Sequence, residues 1–358
     1  MKDFFKVTLP KTGSELASKT KQGDFFTDAE FSGFNLTGQN ISGGIFTGCL
    51  FEGCIFEATD LSQTLFNNCS FNKCVFKAID CGDASFIQSD FQCCEFSESN
   101  LSSFNFIDSD MPETAFLNCN FSNGIFQKTV LLMSSFSQCV FSQLTFNQSD
   151  MTNIDFTEVT FFKTAFNECT FDSNSFPNSR FEMAFFKGAN LSNINFSGMA
   201  LTQSQFLESN MNGCNFSNCN LMQTGFRGST VLNCDFSLAN LTLADLYEAD
   251  LSSCVLTEAN LDKASLQKTK INQSNLVATS LKMTQLAESE IKQSDLSRAN
   301  FEYADCSNSI WESNTIKDAT LFMANFHGVT HEDCNWSGSN LNQTQGTHQQ
   351  RKKSEEWK

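Results

Sequence analysis

Every fifth residue from Phe26 to Leu341 is apolar, without insertion or slip, over 64 successive positions. Only Cys81, Cys306 and His331 weaken the pattern. A period of five fits neither an amphipathic helix nor a simple alternating strand. Because this period is held over most of the chain, it predicts a repeat architecture in which each unit forms one corner of a coil.

The residue two places before an apolar centre is nearly always small, and the residue between them varies. The runs Cys49-Leu50-Phe51 and Cys74-Val75-Phe76 are typical. Because side chains alternate across a strand, this pattern predicts a three-residue strand whose first and third side chains point inward. The two remaining residues are mostly polar, and Pro112 and Pro177 both follow a centre directly. These two residues are therefore predicted to form a turn.

A second period of twenty residues shows how many corners close one coil. Phenylalanines recur at this spacing in two unbroken columns, eleven from Phe26 to Phe226 and ten from Phe56 to Phe236. The spacing predicts four pentapeptides per coil, and the 64 centres then make 16 coils with two phenylalanine walls. Strands of successive coils lie ~4.8 Å apart, which gives a rod on the order of 75 Å long and allows offset ring stacking.

The repeat resembles the pentapeptide-repeat proteins, whose motif is written A(D/N)LXX with Leu or Phe at the centre. The match is most literal in Ala239-Asn240-Leu241, Ala244-Asp245-Leu246 and Ala299-Asn300-Phe301, whereas Phe- and Cys-rich units such as Cys214-Asn215-Phe216 dominate earlier. The resemblance covers 316 of the 358 residues. It implies an all-β fold, a right-handed quadrilateral β-helix, and it implies little about activity because the scaffold defines the family.

The extent of the repeat divides the chain into three segments. Residues 1–23 are predicted to form an N-terminal cap and irregular segment, residues 24–341 one continuous β-helix, and residues 342–358 a polar C-terminal tail. The change from Phe to Leu centres near residue 240 involves no linker, so we predict no domain boundary there.

The two ends of a solenoid must be covered, because they otherwise expose strand edges and core. Phe5, Val7 and Leu9 alternate and are predicted to lie across the first coil, whereas Lys11–Gly23 is predicted to be irregular. No comparable apolar segment follows Leu341. We therefore expect the C-terminal coil to meet a protein partner, a second copy in a homodimer, or water.

Sixteen cysteines would often suggest disulfides or zinc. Here thirteen occupy the small inward position, two occupy centres, and only Cys93 falls at a turn. We expect buried, free thiols in a reducing compartment. Because the sequence contains neither a bilayer-length apolar run nor a hydrophobic signal region, we expect a cytoplasmic protein. Delivery by a non-classical secretion system is compatible with this expectation.

Candidate metal ligands occur near the carboxyl end, at His327, His331 and Cys334. In the predicted register His327 points outward while the other two point inward, so we do not expect a shared zinc ion. No nucleophile beside a base, phosphate-binding glycine loop or carboxylate pair stands out from the repeat. We therefore predict no enzyme activity, no catalytic residues, no metal and no cofactor.

The formal net charge is −17, and residues 24–341 hold 36 acidic and 14 basic side chains. An acidic rod repels phosphates, which argues against direct nucleic-acid binding. Some pentapeptide-repeat proteins resemble duplex DNA and bind DNA gyrase, and the resemblance therefore implies a DNA-mimic alternative. Unlike gyrase-protecting members, this chain has no loop interrupting the repeat and no apolar C-terminal helix. The acidic face for this alternative consists of Glu30, Asp90, Asp110, Asp150, Asp250 and Glu290.

Apolar residues at outward or turn positions are the other candidate contacts. They are Ile45, Leu50, Ile55, Leu65 and Val75 near the amino end, and Phe162, Tyr303 and Phe322 further along. We predict a non-enzymatic, rigid protein-interaction scaffold with a protein partner, such as an adaptor or a component of a bacterial secretion apparatus. The alternative is an acidic DNA mimic that regulates or protects a type II topoisomerase.

Overall fold

A computed structural model describes residues 9–172, 176 and 178–355 of the chain, apart from the side chains of residues 351 and 355. The chain divides into two compact units, Met1–Arg180 (unit 1) and Phe181–Lys358 (unit 2). Both units consist of short parallel strands and bridges joined by turns. Within the described residues, no helix combines the length and the apolar composition needed to cross a membrane.

The described part of unit 1 contains one helix, α1 (Gly13–Lys21), followed by strands of two or three residues. The strands are β1 (Phe26–Thr27), β2 (Glu30–Ser32), β3 (Ile45–Thr47), β4 (Leu50–Glu52), β5 (Ile55–Glu57), β6 (Leu65–Asn67), β7 (Ser70–Asn72), β8 (Val75–Lys77), β9 (Ser85–Ile87), β10 (Asp90–Gln92), β11 (Glu95–Ser97), β12 (Asn105–Ile107), β13 (Ala115–Leu117), β14 (Asn120–Ser122), β15 (Ile125–Gln127), β16 (Ser135–Ser137), β17 (Val140–Ser142), β18 (Thr145–Asn147), β19 (Asp150–Met151), β20 (Thr160–Phe162), β21 (Ala165–Asn167) and β22 (Thr170–Phe171).

The strands of unit 1 pair in parallel at intervals of twenty residues. One sheet runs β1-β3-β6-β9-β12-β15-β18-β21, a second β2-β4-β7-β10 and a third β5-β8-β11-β13-β16. We call the faces that carry these sheets face 1, face 2 and face 3, and the face that carries β14-β17-β20 face 4. The prediction of four pentapeptides per coil is confirmed by this pairing.

The phenylalanine columns stack inside the coils, as the twenty-residue period predicts. Phe26, Phe46 and Phe66 are buried next to one another, and successive ring centroids are 5.3 and 4.9 Å apart. The second column is stacked similarly, with 4.7 Å between the rings of Phe56 and Phe76. Offset ring stacking and burial therefore stabilise strands that are too short to be stable alone.

Unit 2 has few strands and many isolated parallel bridges. Strand β23 (Arg180–Glu182) spans the boundary between the units, and unit 2 continues with β24 (Phe185–Lys187), β25 (Lys270–Asn272), β26 (Glu290–Lys292), β27 (Ile310–Glu312) and β28 (Thr330–Glu332). Elsewhere, bridges such as Gly225↔Asp245 and Asp245↔Ser265 keep the twenty-residue register. The last described elements are a 3₁₀ helix (Leu341–Gln343) and helix α2 (Gln349–Glu355).

The two kinds of corner differ in their hydrogen bonds. In unit 2 an Asn or Asp often precedes the centre and accepts from the backbone N–H two residues on, as in Asp245 with Tyr247 at 3.0 Å. The residue that follows the turn then donates back to the centre, as Ala249 N–H does to the Leu246 carbonyl at 3.0 Å. Such Asx turns satisfy backbone groups locally. In most of unit 1 the strand instead continues through the centre.

Small inward residues add a hydrogen bond between successive coils. The Cys54 thiol donates to the Phe31 carbonyl at 3.0 Å, and the Ser209 hydroxyl donates to the Phe186 carbonyl at 2.8 Å. Both pairs are separated by 23 residues along the chain. This bond explains why Cys, Ser and Thr are frequent at a buried position, because each is small and carries a donor.

The segment Lys11–Gly23 is mostly helical, so the prediction that it is irregular is wrong. The Thr12 side chain accepts from the Glu15 N–H at 3.2 Å, and the Glu15 carboxylate accepts from the Lys11 N–H at 2.8 Å. These two bonds satisfy backbone donors at the start of α1. The helix forms because Leu16, which is fully buried, gives it an apolar contact that the mostly polar composition does not suggest.

Helix α1 packs tightly against the first coil. A Cβ atom at Gly13 would overlap the Asn35 carbonyl oxygen, which shows how close the two backbones are. Leu9, predicted to lie over the core, is 54% exposed, so that prediction is wrong because α1 occupies the contact. Phe5 and Val7 lie outside the described residues.

Candidate functional site

The apolar candidates near the amino end lie on three different faces of unit 1. Ile45 and Leu65 are paired in register on face 1, and Ile55 and Val75 are paired on face 3. Leu50 lies on face 2, where its neighbours in register are polar. The structure therefore separates the predicted cluster into two pairs and one single residue.

Phe25 extends the face 1 pair and was not among the sequence candidates. It is 64% exposed, and the pairing of Phe26 with Phe46 places it beside Ile45. Phe25, Ile45 and Leu65 form an outward row that we call the face 1 stripe. The signal that could have identified Phe25 is its position directly before a centre, which is the same position that Ile45 and Leu65 occupy.

A second apolar surface lies at one corner of unit 2. The rings of Tyr303 and Phe322 meet edge to face with centroids 5.7 Å apart. Met283 and Met323 occupy the same turn position as Tyr303 in the preceding and following coils. Met283, Tyr303, Phe322 and Met323, which we call the corner patch, are 52%, 48%, 44% and 39% exposed. The structure brings together two predicted residues and two methionines that the sequence reasoning missed.

Phe162 lies in unit 1 and has a different environment. Its side chain is half-buried, and the Lys163 ammonium lies 5.1 Å from its ring centroid. A cation at this distance from an aromatic face is attracted to it. Phe162 is therefore partly covered by its own neighbour, unlike the corner patch.

The row of acidic candidates on face 2 of unit 1 is interrupted by uncharged residues. Glu30 is in register with Leu50, and Asp110 and Asp150 are separated by Val130. Burial and the adjacent Asp110 carboxylate raise the pKa of Asp90. Crowding of like charges is thus confined to short stretches of this face.

The acidic candidates of unit 2 are also interrupted. Lys270 is in register between Asp250 and Glu290, and the Glu290 carboxylate lies 3.4 Å from the Lys292 ammonium. Asp250 accepts from the Ser252 N–H at 3.0 Å, so its carboxylate forms part of the turn. Asp150 of unit 1 has the same role. Several candidate acids therefore stabilise corners as well as charging the surface.

Charge is distributed unequally between the units. Residues 24–180 contain 19 acidic and 5 basic side chains, and residues 181–341 contain 17 and 9. In unit 2, Lys268, Lys282 and Lys292 are within 4.0 Å of carboxylates. Exposed pairs of this kind contribute little stability, but they neutralise surface charge. Unit 1 is consequently the more acidic surface.

The histidines near the carboxyl end have separate surroundings. His327 lies at an outward turn position but is only 3% exposed, because residues 345–348 cover it. Its Nδ1 accepts from the backbone N–H of His348 at 3.1 Å, because the chain folds back over the turn. His331 occupies a core position but is exposed on the last strand of its sheet, with its ring 5.7 Å from Trp336. Among the described residues, no cluster of three potential metal ligands occurs.

The cysteines are free thiols, and most are buried. Burial raises the pKa of the Cys219 thiol to about 11 and that of Cys169 to about 12. Such thiols are protonated at neutral pH and are poor nucleophiles. Cys93, at a turn, is half-buried, and its thiol lies 3.5 Å from the Glu113 carboxylate, which raises its pKa.

Comparisons with known proteins agree with this repeat geometry. A family model described as pentapeptide repeats matches eight times, at residues 26–57, 69–106, 134–172, 154–193, 179–218, 189–228, 219–257 and 239–282. A search of curated proteins gives no match.

Three solved structures illustrate the similarity. HetL, a pentapeptide repeat protein involved in heterocyst differentiation regulation from the cyanobacterium Nostoc sp. strain PCC 7120, is 15% identical; the match covers 70% of this chain and 90% of HetL, with a TM-score of 0.27. A pentapeptide repeat protein from the thylakoid lumen of Arabidopsis thaliana is 29% identical over 27% of this chain and 68% of that protein, with a TM-score of 0.27. QnrB1, a plasmid-mediated fluoroquinolone resistance protein, is 16% identical over 58% and 94%, with a TM-score of 0.26.

The family assignment follows from the repeat matches, which cover more than half of the chain, together with the observed register. Parallel pairing at twenty residues and buried centres at every fifth residue are the geometry that the repeat motif requires. The chain belongs to the pentapeptide-repeat family.

Proposed function

We propose that this chain is a non-enzymatic protein-interaction scaffold whose corner patch binds a protein partner. An adaptor or a component of a bacterial multiprotein assembly, such as a secretion apparatus, would use such a scaffold. We also propose that the protein is located in the cytoplasm. The observation that carries it is the grouping of Met283, Tyr303, Phe322 and Met323, each more than a third exposed, on successive coils.

The backbone beneath the corner patch supports this role. Met283, Tyr303 and Met323 have φ values of 55°, 57° and 58°, and the N–H of each donates to the next coil at 2.9 to 3.0 Å. The side chains are thus presented from fixed corners, which limits the conformational entropy lost on binding. Exposed methionine and aromatic side chains supply adaptable and large contact area.

The test is affinity capture with the full chain followed by measurement of binding to the captured protein after purification. Substitution of both Tyr303 and Phe322 by Asn should weaken binding at least about tenfold, since an aromatic hot-spot side chain at the centre of an interface contributes about 2 kcal/mol or more. Leu238→Asn is the matched control, because Leu238 is 55% exposed and has a φ of 59° in the same unit. Equal binding by the double variant and the control would reject the corner patch as the contact.

A second candidate function is a DNA mimic that regulates or protects a type II topoisomerase. The charge of unit 1 favours this function, since residues 24–180 contain 19 acidic and only 5 basic side chains. A surface of one sign steers oppositely charged partners toward it. Supercoiling by DNA gyrase should then change at micromolar protein, and the effect should fall as salt increases. An unchanged supercoiling rate would remove this alternative.

Self-association is a separate proposal. A homodimer through the C-terminal coil would cover His331, which is exposed at a core position. Sedimentation velocity of the full chain distinguishes a monomer from a dimer, and His331→Glu should weaken a dimer of this kind by placing charge in the contact.

A further inference from the structure

The chain folds back over its last coil after the repeat of apolar centres has ended. Asn325 forms a parallel bridge with Gln345, and the Phe326 N–H donates to the Gln345 carbonyl at 2.8 Å. The Gly328 N–H donates to the Thr347 hydroxyl at 3.2 Å. Residues 345–348, which we call the closing segment, therefore continue the hydrogen-bond ladder by one more level.

His327 forms a hydrogen bond with the C-terminal end of the closing segment. Its side chain is 3% exposed, and its Nδ1 accepts the His348 backbone N–H at 3.1 Å. The surroundings are polar, with a pocket of about 440 Å³ lined by Asn325, His327, Gln345, Gly346 and His348. Because this pocket opens at the surface of unit 2, protons can reach the imidazole without unfolding of the coil.

The hydrogen bond from the His348 N–H to His327 Nδ1 exists only while the His327 imidazole is neutral. A neutral imidazole has one nitrogen acceptor, whereas a protonated imidazole has two donors and no acceptor. Protonation of His327 would therefore set an N–H against the His348 N–H and place a charge at a nearly buried position. Histidine is the side chain that ordinarily changes charge between pH 5 and 8.

We propose that His327 is a pH-sensitive clasp that holds the closing segment on the last coil at neutral pH and releases it on acidification. Release would expose the backbone N–H groups of Phe326 and Gly328, which the closing segment now covers. Helix α2, which begins directly after the closing segment, would move with it. This inference does not depend on the proposed scaffold function.

The other described titratable groups near the clasp allow its effect to be isolated. Asp305, one coil earlier, accepts from the Asn325 side-chain amide at 2.8 Å and from the Ser307 N–H at 3.1 Å. His348 and Lys352 are exposed and belong to the part of the chain that would move. His348 is therefore the second imidazole in this region, and a variant that lacks it is needed.

Hydrogen–deuterium exchange of the full chain at pH 8 and pH 5 tests the proposal, after correction for the pH dependence of unprotected amides. In the wild type, protection of residues 345–352 should fall about threefold to tenfold at pH 5, the loss expected for one hydrogen bond. Protection of residues 26–172 should not change and serves as the internal measure of an intact fold. Equal protection of residues 345–352 at both pH values would overturn the proposal.

Three variants assign the response. His327→Asn retains a side-chain acceptor but cannot titrate, so its protection should be the same at both pH values. His348→Gln removes the second titratable group and should keep the wild-type response. If His327→Asn still responds to pH, or if His348→Gln does not, the clasp is not His327. His327→Leu removes the acceptor and should leave residues 345–352 weakly protected at both pH values.

Discussion

Units 1 and 2 keep the same twenty-residue register but close their corners differently. In unit 1 the strands continue through the centres, as at Phe46 and Phe66. In unit 2 an Asx turn with a backbone bond to the centre carbonyl is usual, as at Leu246. The identity of the centre does not explain this difference, because Phe216 and Phe236 of unit 2 form the same hydrogen-bonded turn as Leu246.

The residue before the centre explains the difference better. Phe216 and Phe236 follow Asn215 and Asp235, which accept from backbone N–H groups two residues on at 2.9 and 2.8 Å. At most unit 1 corners this position holds a residue other than Asn or Asp, such as Ile45. The core can thus be filled by Phe or Leu, while an outward Asn or Asp before the centre favours the hydrogen-bonded turn.

The largest expected effect tests how tightly the core of unit 1 is filled. A Cβ at Gly124 would overlap the Phe104 ring, which occupies an inward position that is usually small. Gly124→Ala should therefore cost about 1–3 kcal/mol of unfolding free energy, because a packed ring cannot move away. Urea unfolding, followed by exchange protection in each unit, measures this cost.

The matched control is Gly225→Ala in unit 2. Its Cβ would meet the side-chain oxygen of Gln205, which is the far end of a flexible, half-buried side chain, so the cost should be within about 0.5 kcal/mol. Phe104→Leu should rescue part of the Gly124→Ala loss. Equal costs for the two glycine substitutions would show that core crowding does not distinguish these sites.

A smaller effect tests the role assigned to the residue before the centre. Asp250→Ala removes the acceptor for the Ser252 N–H and hydroxyl and should cost about 0.5–1.5 kcal/mol. Asp250→Asn keeps an acceptor and should cost less. Asp90 of unit 1 lies in a strand, so Asp90→Ala should not lower the free energy of unfolding. A loss of unfolding free energy equal to that of Asp250→Ala would contradict the difference described between the corners of the two units.

The smallest effect concerns charge on face 2. Burial and the Asp110 carboxylate raise the pKa of Asp90 in the folded protein, so the folded state binds the proton more tightly than the unfolded state. Asp90→Asn should therefore stabilise the protein at pH 7, by less than about 0.5 kcal/mol because the carboxylate is well exposed to water. The gain should decrease as pH falls through the folded pKa of Asp90 and vanish below about pH 3.9, the usual value for Asp. A gain that persists at pH 3 would contradict this explanation.

Most of the repeat could be predicted from sequence, because each corner repeats the same local choice. The stacking of Phe26 on Phe46 and the burial of cysteines such as Cys54 both follow from the periods of five and twenty. The corner type was not predicted, although the Asn or Asp before the centre carried a signal. That signal is also incomplete, because Asn105 of unit 1 remains in a strand between the strands of Ser85 and Ile125.

The candidate surfaces could be predicted only in part. Tyr303 and Phe322 were identified as exposed, but their contact and the two methionines beside them depend on how adjacent corners project. The cluster from Ile45 to Val75 separates because residues five apart lie on different faces. That both units join into a single solenoid over residues 24–341 remains a prediction.

The sequence by itself determined the period, the inward and outward positions and the parallel stacking, because these depend on side-chain alternation within five residues and its recurrence after twenty. Only the tertiary structure decided how the ends are covered. Helix α1 is packed on the first coil, and His327 is buried because residues 345–348 fold back over it. The periodic pattern stops at those ends, so burial there depends on where nonrepeating chain comes to lie.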